Sequence, residues 1–189
     1  VDFAIALFVN RLGRGVVDPF TELFCEVPLL VVVWLVLVLL ALWLDREEGR
    51  RVGATVLVAV AIHFLVSEAI LKHLLLAEVP MRVRPYLAHP GEIVPVGHLF
   101  TDSSFPSSHA ASTAAIVTVL VHRYRRFLAL GVGFCALMCL SRVHNGMHYP
   151  TDVLTGSILG VGYGLAAVRI VNEYVRRRAA RAPVAVDTP

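Results

Sequence analysis

The chain has 189 residues, a net charge of +3, 57% hydrophobic content and a mean hydropathy of +0.73. That apolar share exceeds the roughly 45–50% usual for soluble domains, which excludes an ordinary soluble enzyme. The basic charge, 16 Arg and the single Lys72, falls in short blocks and forms no continuous face, which argues against a nucleic-acid partner.

Residues 2–17 mix Phe3, Ile5, Leu7, Phe8 and Leu12 with Asn10, Arg11 and Arg14, too short and polar to span and well suited to an interfacial helix. The first span is expected over Phe20–Leu44, followed by the charged stretch 45–51. A second runs from Val52 to about Leu76. Its far half carries His63, Glu68 and Lys72, and charges inside a span face a protein interior or a wet cavity. Residues 77–105 form a long loop with four prolines, a length that points to function. A third span is predicted for Pro106–Val121, with Pro106 in the first helical turn and Ser103 or Ser104 as cap. The fourth covers Phe127–Leu140. The polar island Ser141–Asp152 comes next, its Pro150 suited to begin a helix rather than continue one, and the fifth span runs from Asp152 to about Val171. Gly156, Gly160 and Gly164 share one face of that helix at a spacing that lets another helix approach closely. Cys25, Cys135 and Cys139 all lie in apolar runs and suggest neither disulfides nor a metal site.

The expected fold is therefore all-α, an integral membrane bundle of five spans plus an N-terminal interfacial helix. Residues 1–172 would form one membrane-embedded domain, and 173–189 a basic, disordered cytoplasmic tail. Five spans place the Arg-rich segments 46–51, 123–126 and 176–181 on one side, cytoplasmic by the positive-inside rule. The loops 77–105 and 141–151 then meet at the extracytoplasmic face of the cell membrane.

At that face Lys72, Arg84 and Arg142 could hold phosphate oxygens. The N–H groups of Ser107 and Ser108 at a helix start would add to an anion site. His109 and His148 titrate near neutrality, and Asp152, four residues after His148, is spaced to bond its ring and fix the tautomer. Each residue also has an ordinary alternative: Asp152 as a helix cap, Arg142 snorkelling, Glu68 neutralising Lys72. His144 is expected to be solvated or to support the site from behind, and His63 to be an interior residue.

Ser141-Arg142-x5-His148-x3-Asp152, Pro106-Ser107-Ser108-His109 and Lys72 with Arg84-Pro85 resemble the three signature motifs of the type 2 phosphatidic acid phosphatase (PAP2) superfamily. Metal-independent lipid phosphatases and vanadium haloperoxidases share that site. The chain departs from the pattern in the first motif, with Lys72 twelve residues before Arg84 instead of the family's seven, and Arg82 is the substitute cation. The likeness runs from Asn10 to Val171 and is closest to small bacterial undecaprenyl-pyrophosphate phosphatases of the bacitracin-resistance type.

The resemblance implies a bilayer-embedded enzyme with a lipid phosphate substrate, no cofactor and no metal. His148 would be the nucleophile, Asp152 its orienting partner and His109 the acid and then the base. Lys72, Arg84, Arg142, Ser107 and Ser108 would hold the phosphoryl group, with Glu26 and Arg82 near the substrate mouth. Phosphatidylglycerophosphate or phosphatidate hydrolysis, phosphotransfer to another acceptor, and lipid binding or transport without turnover remain the alternatives.

Overall fold

A computed structural model describes residues 1–24, 26–67, 69 and 81–181. Expectations for Cys25, Glu68 and Lys72 fall outside those residues. The described residues form helices α1 (Asp2–Arg11), α2 (Asp18–Leu23), α3 (Val27–Leu44), α4 (Arg46–His63), α5 (Pro85–Ala88), α6 (Ser108–Arg123), α7 (Leu128–His144) and α8 (Pro150–Ala180).

The core lies where α4, α6 and α8 meet. Val52, Val56 and Ala59 pack on Ala111, Ala115, Ile116 and Val119, and on Tyr163, Ala167 and Val168. Small residues make this close contact possible. A Cβ on Gly156 would come within 2.5 Å of the Ser107 carbonyl oxygen, one on Gly164 within 2.7 Å of the Ala115 oxygen, and one on Gly160 would overlap the Ala111 oxygen. All three obstacles are backbone atoms that cannot swing aside. Gly160→Val is therefore expected to push α8 off α6 and cost about 1–3 kcal/mol or more. An unchanged melting temperature in detergent would refute this packing.

Among the described residues, four helical stretches are long and apolar enough to cross a membrane: Val27–Leu44, Arg46–Ser67, Arg125–His144 and Pro150–Ala180. The protein is a multi-pass membrane protein. The predicted third span differs. Its helix α6 starts at Ser108, two residues later than expected, because the Ser107 N–H donates to the Asp152 carbonyl at 3.2 Å and holds the chain extended there. Neither Ser103 nor Ser104 caps it; Ser107 takes the cap position, and its side chain makes no capping bond. At 16 residues, α6 is about 24 Å long, short of a hydrocarbon layer of about 30 Å, and it sits between the other helices. In contrast to the expected disorder after residue 172, α8 continues through Ala180, its last turns joined by Glu173 pairs to Arg176 and Arg177.

The two ends of the bundle differ in chemistry. Arg123 at the end of α6 bonds Glu48 at the start of α4 at 2.8 Å, tying the Arg-rich connections together. At the other end, the start of α6, the end of α7 and the start of α8 come together under the 81–107 loop and α1.

Candidate active site

The polar island is only partly a loop. Ser141 to His144 are still the last turn of α7, and α8 begins at Pro150, so 145–149 make the connection. Every residue from Ser141 to Tyr149 is buried. Gly146 takes a φ of 71°, the left-handed region open to glycine, and its carbonyl receives the Tyr86 N–H.

This turn places His148 at a cavity of about 150 Å³, which Arg84, Phe100, Asp102, Pro106, Ser108, His109 and Arg142 also line. The His148 ring is set from both sides. Nδ1 lies 2.7 Å from the Ser104 carbonyl oxygen, which can only accept, and Nε2 lies 3.3 Å from Arg84 Nη1, which can only donate. Both contacts require the proton on Nδ1 and the lone pair on Nε2.

Arg84 is 4% exposed and pinned along its length. Nε donates to the Asp102 carbonyl at 3.0 Å, Nη1 to the Met147 carbonyl at 3.1 Å, and Nη2 pairs with the Asp102 carboxylate at 2.7 Å. Arg142 is 1% exposed. Both guanidinium groups lie over the Phe100 ring, at 5.4 and 5.5 Å from its centroid, and His109 meets the same ring edge-on at 6.0 Å. Phe100 thus holds three polar side chains at favourable cation–π and aromatic geometry. Among the described residues, two buried guanidinium groups against the single carboxylate of Asp102, itself half exposed, make the cavity lining net positive and suited to an anion.

Several expectations change. Asp152 does not hydrogen-bond the His148 ring: its Oδ2 is 3.8 Å from Nδ1 and instead accepts the Tyr149 N–H at 2.8 Å, completing a capping box for α8. The Ser104 carbonyl has the orienting position. Ser107 is fully buried, its N–H is committed to the Asp152 carbonyl, and it stands behind the cavity wall, whereas Ser108 faces in. Arg82 points away. It bonds Asp152 at 2.5 Å and Thr151 at 2.7 Å, pairs with Asp2, and stacks on Tyr149. Glu26 is an exposed residue preceding α3 and lines no part of the cavity. Phe100 belongs to no motif in the sequence, and only its position seven residues before the Ser107-Ser108-His109 run marks its loop.

His144 is buried rather than solvated. Nδ1 meets the Val9 carbonyl at 3.0 Å and Nε2 meets Asp18 at 2.8 Å, so it staples α1 and α2 to the end of α7. Asn10 on α1 donates to the Val94 carbonyl at 2.9 Å and the His144 carbonyl at 2.5 Å, adding to that staple. The His144 bond holds the Asp18 carboxyl below its usual 3.8, outweighing burial, with help from the Gly15 N–H. A lowered carboxylate stabilises the fold above the unfolded value and loses that contribution as pH falls through the folded one. Melting temperatures of the native chain and of Asp18→Asn should therefore differ above pH 3.8 and converge as pH falls from there through the lowered folded value; a constant gap would refute the coupling.

Helical membrane architecture with a cationic, histidine-bearing cavity at one end defines a class of enzymes that act on lipid phosphates. Residues 48–176 match the family model described as PAP2 superfamily, and the chain belongs to that superfamily as a lipid phosphatase. It is 30% identical over 138 residues to undecaprenyl-diphosphatase BcrC of Bacillus subtilis, an alignment covering 70% of this chain and 65% of that one. It is 37% identical over 134 residues to decaprenylphosphoryl-5-phosphoribose phosphatase of Mycobacterium tuberculosis, covering 69% and 67% respectively. A transmembrane PAP2 type phosphatidylglycerolphosphate phosphatase from Bacillus subtilis has the same fold, with a TM-score of 0.62 at 18% identity over 93% of this chain and 85% of that one.

Proposed function

We propose that the protein releases phosphate from a polyprenyl pyrophosphate, undecaprenyl pyrophosphate first, at the extracytoplasmic face of the membrane. The carrying observation is the positive cavity in which His148 Nε2 faces Arg84 while Arg142, Ser108 and His109 line the same space. In this reading α6 is the fifth crossing, sheltered by its neighbours, and the Arg-rich end of the bundle is cytoplasmic.

The cavity is too small for more than a headgroup, so the hydrocarbon tail lies along the lipid-facing surface. Arg84 and Arg142 take the oxygens of the terminal phosphoryl group, and Arg84 turns a donor from Nε2 to phosphate as the substrate enters. The Nε2 lone pair forms a bond to phosphorus while the bond from phosphorus to the bridging oxygen breaks. His109 gives a proton to that leaving oxygen. A water then attacks the phosphohistidine, His109 accepts its proton, the N–P bond breaks and inorganic phosphate departs. Negative charge on the equatorial oxygens is met by fixed guanidinium donors, the main source of rate in such a transfer. Asp152 Oδ2, 3.8 Å from His148 Nδ1, lies beside the imidazole ring whose cationic form the attack creates.

The two polyprenyl-linked names among the relatives support the substrate class. The direct test is phosphate release by purified protein from undecaprenyl pyrophosphate, phosphatidylglycerophosphate and phosphatidate, with EDTA present throughout. The polyprenyl lipid should turn over fastest and EDTA should have no effect. A preference for either glycerolipid would overturn the substrate, and loss of activity in EDTA would overturn the metal-independent mechanism.

A further inference from the structure

The bundle carries a second, larger cavity of about 390 Å³ in its Arg-rich half. Val33, Leu37 and Leu44 of α3 form one wall, Phe134 of α7 the other, and Val117 and Val121 of α6 the floor. Its size falls within the range of roughly 300–1,000 Å³ typical of ligand sites. Arg126 is the one charged residue among the described ones that line it. The guanidinium lies 4.9 Å over the Phe127 ring, in the connection between α6 and α7.

Depth identifies what fits. From Val33 to Leu44 the groove follows α3 for about 16 Å, half of a hydrocarbon layer about 30 Å thick. It therefore spans one leaflet, ending near the bilayer middle, and opens at the interface that the 79% exposed Trp43 marks. The catalytic cavity is at the opposite end of α6 and α7, so the groove is no continuation of the headgroup site. Nearby carboxylates are engaged elsewhere: Asp45 caps α4, Glu47 pairs with Arg51, and Glu48 pairs with Arg51 and Arg123. Arg126 stands at an apolar slot of one-leaflet depth, with no carboxylate pairing to it among the described residues.

We propose that this groove seats an acyl chain of one anionic phospholipid from the leaflet on the Arg-rich side, with its phosphate bound by Arg126. An acyl chain supplies the apolar contact, and the phosphate supplies a charge-assisted partner for the guanidinium. A symmetric second copy would instead bring two Arg126 side chains to the same mouth. The lipid has a structural use. Only 11% of α3 is buried within the bundle, and a chain filling the slot between α3 and α7 would join them.

The test uses the full chain in neutral detergent, with phosphatidylglycerol and phosphatidylcholine as probes, read by native mass spectrometry and by melting temperature. One phosphatidylglycerol should be retained per chain and should raise the melting temperature, with phosphatidylcholine much weaker on both counts. Arg126→Glu should weaken phosphatidylglycerol retention by about tenfold or more, and Val121→Phe, which fills the floor, should remove retention of both lipids. Phosphate release should persist in both variants, since neither residue lines the catalytic cavity. Equal retention of the two lipids, retention unchanged in Arg126→Glu, displacement by a polyprenyl phosphate in preference to phosphatidylglycerol, or a dimer that dissociates on either substitution would each overturn the assignment. Because Arg126 is remote from His148, none of these results bears on the proposed hydrolysis.

Discussion

His148→Ala is expected to reduce phosphate release by on the order of 10⁴-fold or more, as loss of a covalent nucleophile does in other enzymes. Two contacts fix the ring. With Ser104 accepting from Nδ1 and Arg84 donating to Nε2, the ring's lone pair is on Nε2, facing Arg84 at the cationic cavity. No ring rotation or proton shuffle has to precede attack. A brief reaction with radiolabelled substrate should leave an acid-labile label on the native chain and none on His148→Ala. His109→Ala should behave differently, retaining the label and losing about 10²–10⁴-fold in rate. That loss should shrink for a phosphate ester whose leaving group needs no proton. A full label on His148→Ala would remove His148 from the nucleophile's place, whatever its rate.

Much of this site was readable along the chain because its chemistry is local in sequence. Ser108 and His109 are neighbours at one helix start, Arg142 and His148 are six residues apart at one turn, and apolar runs show which ends of the helices share a side. The Gly156, Gly160, Gly164 face pointed to close packing, and the partner proved to be α6. The errors came from contacts that sequence spacing does not encode. Asp152 is four residues from His148, as a ring partner should be, but a helix starting at Pro150 turns its carboxylate back onto the Tyr149 N–H. The Ser104 carbonyl that takes its place is backbone, 44 residues away, and carries no side-chain signature. Phe100 is likewise invisible, since a lone aromatic in a loop differs from a hub only by what folds against it. Spacing alone leaves Arg82 looking like a spare phosphate ligand, since its partner Asp2 lies 80 residues distant.

Arg82→Ala should impair both stability and catalysis, although Arg82 does not reach the cavity. Asp152 is fully buried, and its Oδ1 faces Arg82 at 2.5 Å while Oδ2 is occupied by the Tyr149 N–H. Removing the guanidinium leaves a buried carboxylate without its counter-charge, which typically costs 2–5 kcal/mol. Because Arg82 is 35% exposed and water can partly replace it, the expected loss is about 2 kcal/mol, the low end. Asp2, also bonded by the Thr151 N–H at 3.1 Å, loses its cation at the same time, loosening α1 from the start of α8. Arg82→Lys restores a charge but not the fork that spans two carboxylates, so it should recover only part of the stability. Catalysis separates this role from phosphate binding. Asp152 and the 148–149 peptide are held by the same bonds, so Arg82→Ala should lower kcat with little change in KM, whereas a residue that grips substrate would raise KM. A rise in KM with kcat and melting temperature preserved would return Arg82 to the substrate and dismantle the bridge from Asp2 to Asp152.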